Sequence, residues 1–92
     1  MVSQSKTKTN NMKQILYFSA GWCQPCKTFK PIMESLQSEM SITFIDVDVS
    51  PQTAQTWNVR SVPTTLVIQK GMELGRLVGA KSKDEIRALY NR

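Results

Sequence analysis

Ile15-Leu16-Tyr17-Phe18-Ser19-Ala20-Gly21-Trp22-Cys23-Gln24-Pro25-Cys26 is the stretch on which the fold turns. The unbroken apolar and aromatic run at 15–19 suits a strand covered on both faces. Ala20-Gly21-Trp22 reads as a turn, and a helix is expected to begin around the cysteines. Phe29, Ile32, Met33, Leu36 and Met40 fall at helical spacing and make one apolar stripe. Pro31 lies inside that stretch and should kink it. The two cysteines of the chain stand two residues apart at the strand-to-helix junction. That spacing permits a small disulfide ring, a shared metal or an idle pair.

Outward from this junction the pattern continues. Ile42–Val47 reads as a strand. Ser50-Pro51 reads as a cap and a first-turn proline, opening a short helix through about Trp57. Thr64–Gln69 reads as a strand, Lys70-Gly71 as a turn, and Met72–Val78 as a hairpin partner. Ser82 and Glu85 have capping-box spacing and open a final helix with Ile86, Leu89 and Tyr90 on one face. The order predicts an α/β fold. Its first strand–helix–strand should be a right-handed parallel crossover, and its later hairpin makes a mixed sheet. Residues 1–13 carry little to bury and read as a flexible arm or one short edge strand, leaving 14–92 as the domain.

Bulk properties narrow the classes. Ninety-two residues make one small domain. A C-x-x-C bridge closes too short a loop to stabilise a fold by loop entropy. Two cysteines are not a secreted disulfide framework, residues 1–11 hold no apolar signal core, and no stretch reaches membrane-spanning length. A soluble, cytoplasmic protein without a membrane partner is expected. The net charge is +5, with Lys6, Lys8 and Lys13 in an acid-free segment. No aromatic residues interleave with the basic ones, so the charges read as a solvated tail and helix face, and nucleic acid is not an expected partner.

The thiolate, not the thiol, attacks disulfides. Cys23 is expected at the exposed start of a helix, where unpaired N–H groups and the helix dipole favour negative charge and lower a thiol's pKa. It is the candidate nucleophile. Cys26, facing more inward, can then attack a mixed disulfide at Cys23. Pro25 suits a first helical turn, and Gln24 adds no charge. Lys27 and Lys30 read as surface lysines. Trp22 is a candidate apolar rim for substrate docking. Zinc commonly takes four Cys or His ligands, and with no histidine a metal site would need two chains each lending a pair. Val62-Pro63-Thr64 precedes a strand; Pro63 tolerates a cis bond, and a trans proline at a strand start is the alternative.

Taken together these residues resemble the thioredoxin family. The likeness rests on Trp22-Cys23-x-Pro25-Cys26-Lys27, Pro31, Asp46-Val47-Asp48, Val59-Arg60-Ser61-Val62-Pro63-Thr64, Gly71 and Val78-Gly79-Ala80, and it spans roughly residues 14–92. It implies a thioredoxin-like fold, with a central mixed sheet of about four strands flanked by helices, and a cis Pro63 opposite Cys23. It further implies thiol–disulfide oxidoreductase activity on protein disulfides, with Trp22, Gln24, Pro25, Val62, Pro63 and Gly79 around the substrate groove. A thioredoxin reductase is the implied partner of a monomer whose Cys23–Cys26 disulfide serves in place of any cofactor.

The chain departs from the family pattern in four places. The residues before Cys23 are too few for the usual first strand and first helix, so the N-terminus is expected to be shortened. Tyr17 stands where the family commonly has a buried aspartate, and Phe44 where a lysine often partners it. Gln24 replaces the commonest glycine. Two other functions fit parts of the sequence. A glutaredoxin-like, glutathione-dependent enzyme suits the short N-terminus, but the order of the motif and the lack of a Gly-Gly before the last helix oppose it. A non-catalytic binding module could use the same groove. A phenol, with an ordinary pKa near ~10, is a weak base at neutral pH. Cys26 is therefore expected to lose its proton slowly, and a Tyr17→Asp variant to resolve mixed disulfides faster. Unchanged single-turnover kinetics in that variant would count against this expectation.

Overall fold

The computed structural model describes residues 13–92. The expected arm and the shortened N-terminal strand and helix fall before Lys13, outside the described residues. Four strands, β1 (Gln14–Ser19), β2 (Ile42–Asp46), β3 (Thr64–Gln69) and β4 (Met72–Val78), form one sheet in the order β2-β1-β3-β4. β1 and β2 run parallel, with Ile15 opposite Ile42 and Ser19 opposite Asp46. β3 is antiparallel to both β1 and β4. Three helices complete the described fold: α1 (Gln24–Ser35), α2 (Pro51–Thr56) and α3 (Lys83–Tyr90).

β1 is the inner strand that bears the site, and its side chains explain why it stays put. Ile15, Leu16, Tyr17 and Phe18 are all buried, alternating between two cores. Ile15 and Tyr17 pack with Phe29 and Met33 of α1 and with Ile86 and Leu89 of α3. Leu16 and Phe18 pack on the opposite face with Leu66, Ile68 and Ala54 of α2. Each such side chain contributes about 1.5–3 kcal/mol through removal from water. Hydrophobic residues on both faces specify the strand's register twice over, since a one-residue slip would exchange the two sets.

Two local readings need correction. The apolar stripe is buried as expected, yet α1 ends at Ser35, so Met40 is not a helical residue. It is delivered to the core by tight turns, with Glu39 N and Met40 N both bonding to Leu36 O. Pro31 lies inside α1, as expected. Ser50 occupies the cap position of α2 but its hydroxyl makes no capping bond, because its backbone (φ −128°, ψ 63°) is not in the extended conformation that aims a cap side chain. By contrast, the capping box of α3 is complete: Glu85 N–H donates to Ser82 Oγ at 3.1 Å, and Ser82 N–H donates to Glu85 Oε1 at 3.1 Å. The Lys70-Gly71 turn has positive φ at both residues (55° and 76°), which matches the twist of a two-residue hairpin.

One clasp ties the start of β1 to the end of α3. Lys13 Nζ donates to the carbonyls of Tyr90 and Arg92, both at 2.9 Å, and the Tyr90 hydroxyl donates to Lys13 O at 3.2 Å. An ammonium there meets the negative end of the helix and its unpaired carbonyls. Lys13→Met should therefore lower stability by about 1 kcal/mol. Urea unfolding followed by circular dichroism would measure it, and an unchanged midpoint would show that the clasp contributes nothing.

Candidate active site

β1 ends at Ser19, and Ala20-Gly21-Trp22 carries the chain into α1. Cys23 is the N-cap of that helix, with extended backbone (φ −86°, ψ 111°), and its Sγ accepts the backbone N–H of Cys26 at 3.2 Å. A sulfur thus takes the place that a serine or aspartate oxygen usually fills at a helix start. Pro25 lies in the first turn, where no intrahelical N–H bond is lost. The two cysteines are joined as a disulfide with their Cα atoms 5.3 Å apart.

Cys23 was expected at an exposed position, and the structure differs. Cys23 and Cys26 are each only 3% exposed, because Ala20, Val47 and Val62 pack around the closed ring. Trp22, Gln24 and Pro25 are exposed, Trp22 to 67%. Val62, from the loop before β3, packs against the cysteine cluster. The Val62–Pro63 peptide is cis, Pro63 is buried, and Pro63 O accepts the N–H of Gly79 at 2.8 Å. Gly79 has φ +96°, a conformation that glycine adopts without steric cost. Trp22 and Val62, with Val47, Val59, Arg60 and Ser61, line a shallow cleft of about 100 Å³. Cys23, Cys26, Val62, Pro63 and Gly79 are thus linked by packing or hydrogen bonding. Trp22 joins them through the cleft, while Gln24 and Pro25 face solvent on the first turn.

The sequence reading did not single out Arg60, Val47 or Val59 as lining residues, nor Asp46 and Ser19, which line a second cleft beside Cys26. The available signal was positional: they lie at strand ends or in loops next to the carboxyl ends of β1 and β2, where α/β sheets commonly place ligands. Among the described residues no group of three or more His, Cys, Asp and Glu gathers as a metal site.

Tyr17 and Phe44 face each other in the β1–β2 register. The Tyr17 ring meets Phe44 edge-on at 5.5 Å and Phe29 edge-on at 5.7 Å between centroids. Such pairs contribute about 0.5–1.5 kcal/mol beyond burial. The Tyr17 hydroxyl is buried with no hydrogen-bond partner among the described residues. Burial, and secondarily the charge of Glu34, push its pKa up to about 12. An orphaned hydroxyl costs stability, so Tyr17→Phe should be neutral or stabilising by up to about 1 kcal/mol at pH 7. The pH dependence has a defined sign. Below about pH 10 the phenol is neutral whether folded or unfolded. Above it the unfolded chain ionises first, so the stability due to the neutral phenol is lost as pH rises toward about 12. Denaturant titrations of wild type and Tyr17→Phe at pH 8 and 11 should show a steeper alkaline loss in wild type; parallel losses would exclude this.

Comparison with known proteins agrees with the geometry. The thioredoxin family model matches residues 3–92. The chain is 39% identical over 80 residues to thioredoxin from Chlamydia caviae, covering 84% of this chain and 78% of that protein. It is 35% identical over 79 residues to a Mycobacterium tuberculosis thioredoxin, covering 82% and 68%. The structure of Fasciola hepatica thioredoxin superposes with a TM-score of 0.85 at 26% identity, covering 99% of this chain and 89% of that one. Reduced Schistosoma mansoni thioredoxin gives 0.83 at 28% identity, covering 98% and 87%. A cysteine pair at the start of a helix, closed as a disulfide on this fold, places the chain in the thioredoxin family, and its activity is that of a thiol–disulfide oxidoreductase acting on protein disulfides.

Proposed function

We propose that Cys23 is the attacking thiolate and Cys26 the resolving thiol of this reductase. The observation that supports these roles is the hydrogen bond from Cys26 N–H to Cys23 Sγ at the helix start. In the reduced protein the same donor and the helix dipole stabilise negative charge on that sulfur. Cys23 Sγ attacks one sulfur of a substrate disulfide, and the other sulfur leaves as a thiolate. The Cys26 sulfur then attacks Cys23 Sγ, releasing the second substrate thiolate and closing the Cys23–Cys26 bond. Two electrons pass from the dithiol to the substrate, and the Cys26 proton leaves with the second step.

Trp22, Gln24, Pro25, Val62, Pro63 and Gly79 form the surface on which an extended substrate segment docks. The dithiol works without a cofactor, on protein disulfides, as a monomer in the cytoplasm. Among the described residues no helix is long and apolar enough to cross a membrane. A thioredoxin reductase restores the dithiol. A relative from Mycobacterium leprae, a bifunctional thioredoxin reductase/thioredoxin, supports this partner: this chain is 37% identical to it over 79 residues, which is 17% of that protein.

The roles are tested by substitution. Cys26→Ser should accumulate a covalent adduct with a disulfide-containing protein, seen as a mass shift that dithiothreitol removes. Cys23→Ser should form no adduct and reduce no substrate. An adduct on Cys23→Ser would reverse the assignment. Turnover with NADPH and reductase, compared with turnover with glutathione, separates the thioredoxin and glutaredoxin routes.

A further inference from the structure

When Cys26 attacks the mixed disulfide its sulfur must shed a proton, and the structure limits where that proton can go. Tyr17 is out of reach of this chemistry: it is sealed between Phe29 and Phe44, and it does not line the space beside Cys26. That space is an open cleft of about 190 Å³ formed by Ser19, Gly21, Cys26, Lys27, Lys30 and Asp46, among others. Ser19, Lys27, Lys30 and Asp46 give it polar groups that can hold water, and it is roomy enough for several waters. Asp46 supplies its single carboxylate. The parallel register sets Asp46 beside Ser19 at the carboxyl ends of β2 and β1, level with the first turn of α1. Asp46 Oδ1 accepts the N–H of Asp48 at 2.8 Å, which fixes the carboxylate, while Oδ2 has no partner among the described residues.

We propose that Asp46 accepts the proton that Cys26 releases on resolving the mixed disulfide, through water held in this cleft. The proposal rests on Cys26 being the resolving thiol. The Cys26 S–H bond breaks as its sulfur bonds to Cys23 Sγ. The Cys23–substrate bond breaks and the electron pair leaves with the substrate sulfur. The Cys26 proton passes through water to Asp46 Oδ2 and from there to solvent. Asp46 is faced by Lys27 and Lys30 from α1, by the uncharged Ser19 from β1, and by Asp48 in its own turn. Lys30 Nζ also lies 6.0 Å over the Phe44 ring centroid.

Charge alone and proton acceptance predict opposite signs. A nearby negative charge disfavours thiol ionisation, and two lysines favour it. If Asp46 acted only as a charge, Asp46→Asn would speed resolution. If it takes the proton, Asp46→Asn slows it. Asparagine keeps an acceptor oxygen for Asp48 N–H, so the turn is retained. The experiment is stopped-flow reaction of the fully reduced, full-length protein with dithionitrobenzoate, which releases one coloured thiolate when Cys23 attacks and a second when Cys26 resolves. Asp46→Asn should slow the second phase about tenfold near pH 6.5, leave the first within about twofold, and lose the difference above the thiol's ordinary range near ~8.5. Asp46→Glu should recover most of the rate, and Tyr17→Phe should match wild type. An unchanged or faster second phase in Asp46→Asn overturns the proposal, as does a slowed second phase in Tyr17→Phe. A second phase that persists in Cys26→Ser overturns the resolving role itself, and the proposal with it.

Discussion

The helix start at Cys23 is the constraint on which the rest depends. A helix leaves its first N–H groups without intrahelical partners, and here a sulfur answers one of them. The arrangement works only if strand, turn and helix keep a fixed relation. Burial of β1 on both faces secures the strand, and Phe29, Met33 and Leu36 secure the helix and its exit on one of those faces. Val62 and Pro63 are set beside them by β3, whose pairing with β1 carries Thr64 opposite Phe18. The reactive geometry is therefore the end point of core packing and not a separate invention of the loop.

At positions 17, 29 and 44 the chain has chosen packing over ionisation. Three aromatic rings in edge-on contact fill the space between β1, β2 and α1. Filling it with rings leaves the interior beneath the dithiol without a carboxylate or ammonium among these three positions. Acid–base groups are displaced outward, to Lys27, Lys30 and Asp46 at the cleft rim, where water is at hand. Proton traffic at such a rim is open to solvent ions and pH in a way that a sealed acid is not.

Much of this was legible in the sequence because the signals were local. The apolar run 15–19, the dithiol spacing, the Lys70-Gly71 turn and the Ser82–Glu85 box each act within a few residues, and the structure contains all of them. What escaped needed distance in the chain. Burial of Cys23 depends on Val47 and Val62, 24 and 39 residues away. The two clefts combine strand ends and loops that no sequence window joins. Leu36 and Met40 keep helical spacing although α1 ends at Ser35, because turns carry Met40 into the core. A buried stripe records which side chains face the core, not which hydrogen bonds carry them there.

The clasp of Lys13 on Tyr90 and Arg92 has a topological meaning besides its energy. It brings the first and last described residues together at one pole of the domain. The dithiol lies beyond the other end of β1, a strand of six residues that spans roughly 20 Å when extended. Anything fused, tagged or tethered at either of those residues leaves from the pole remote from Cys23, so the domain can be mounted on a surface or a partner chain with its reactive end facing outward.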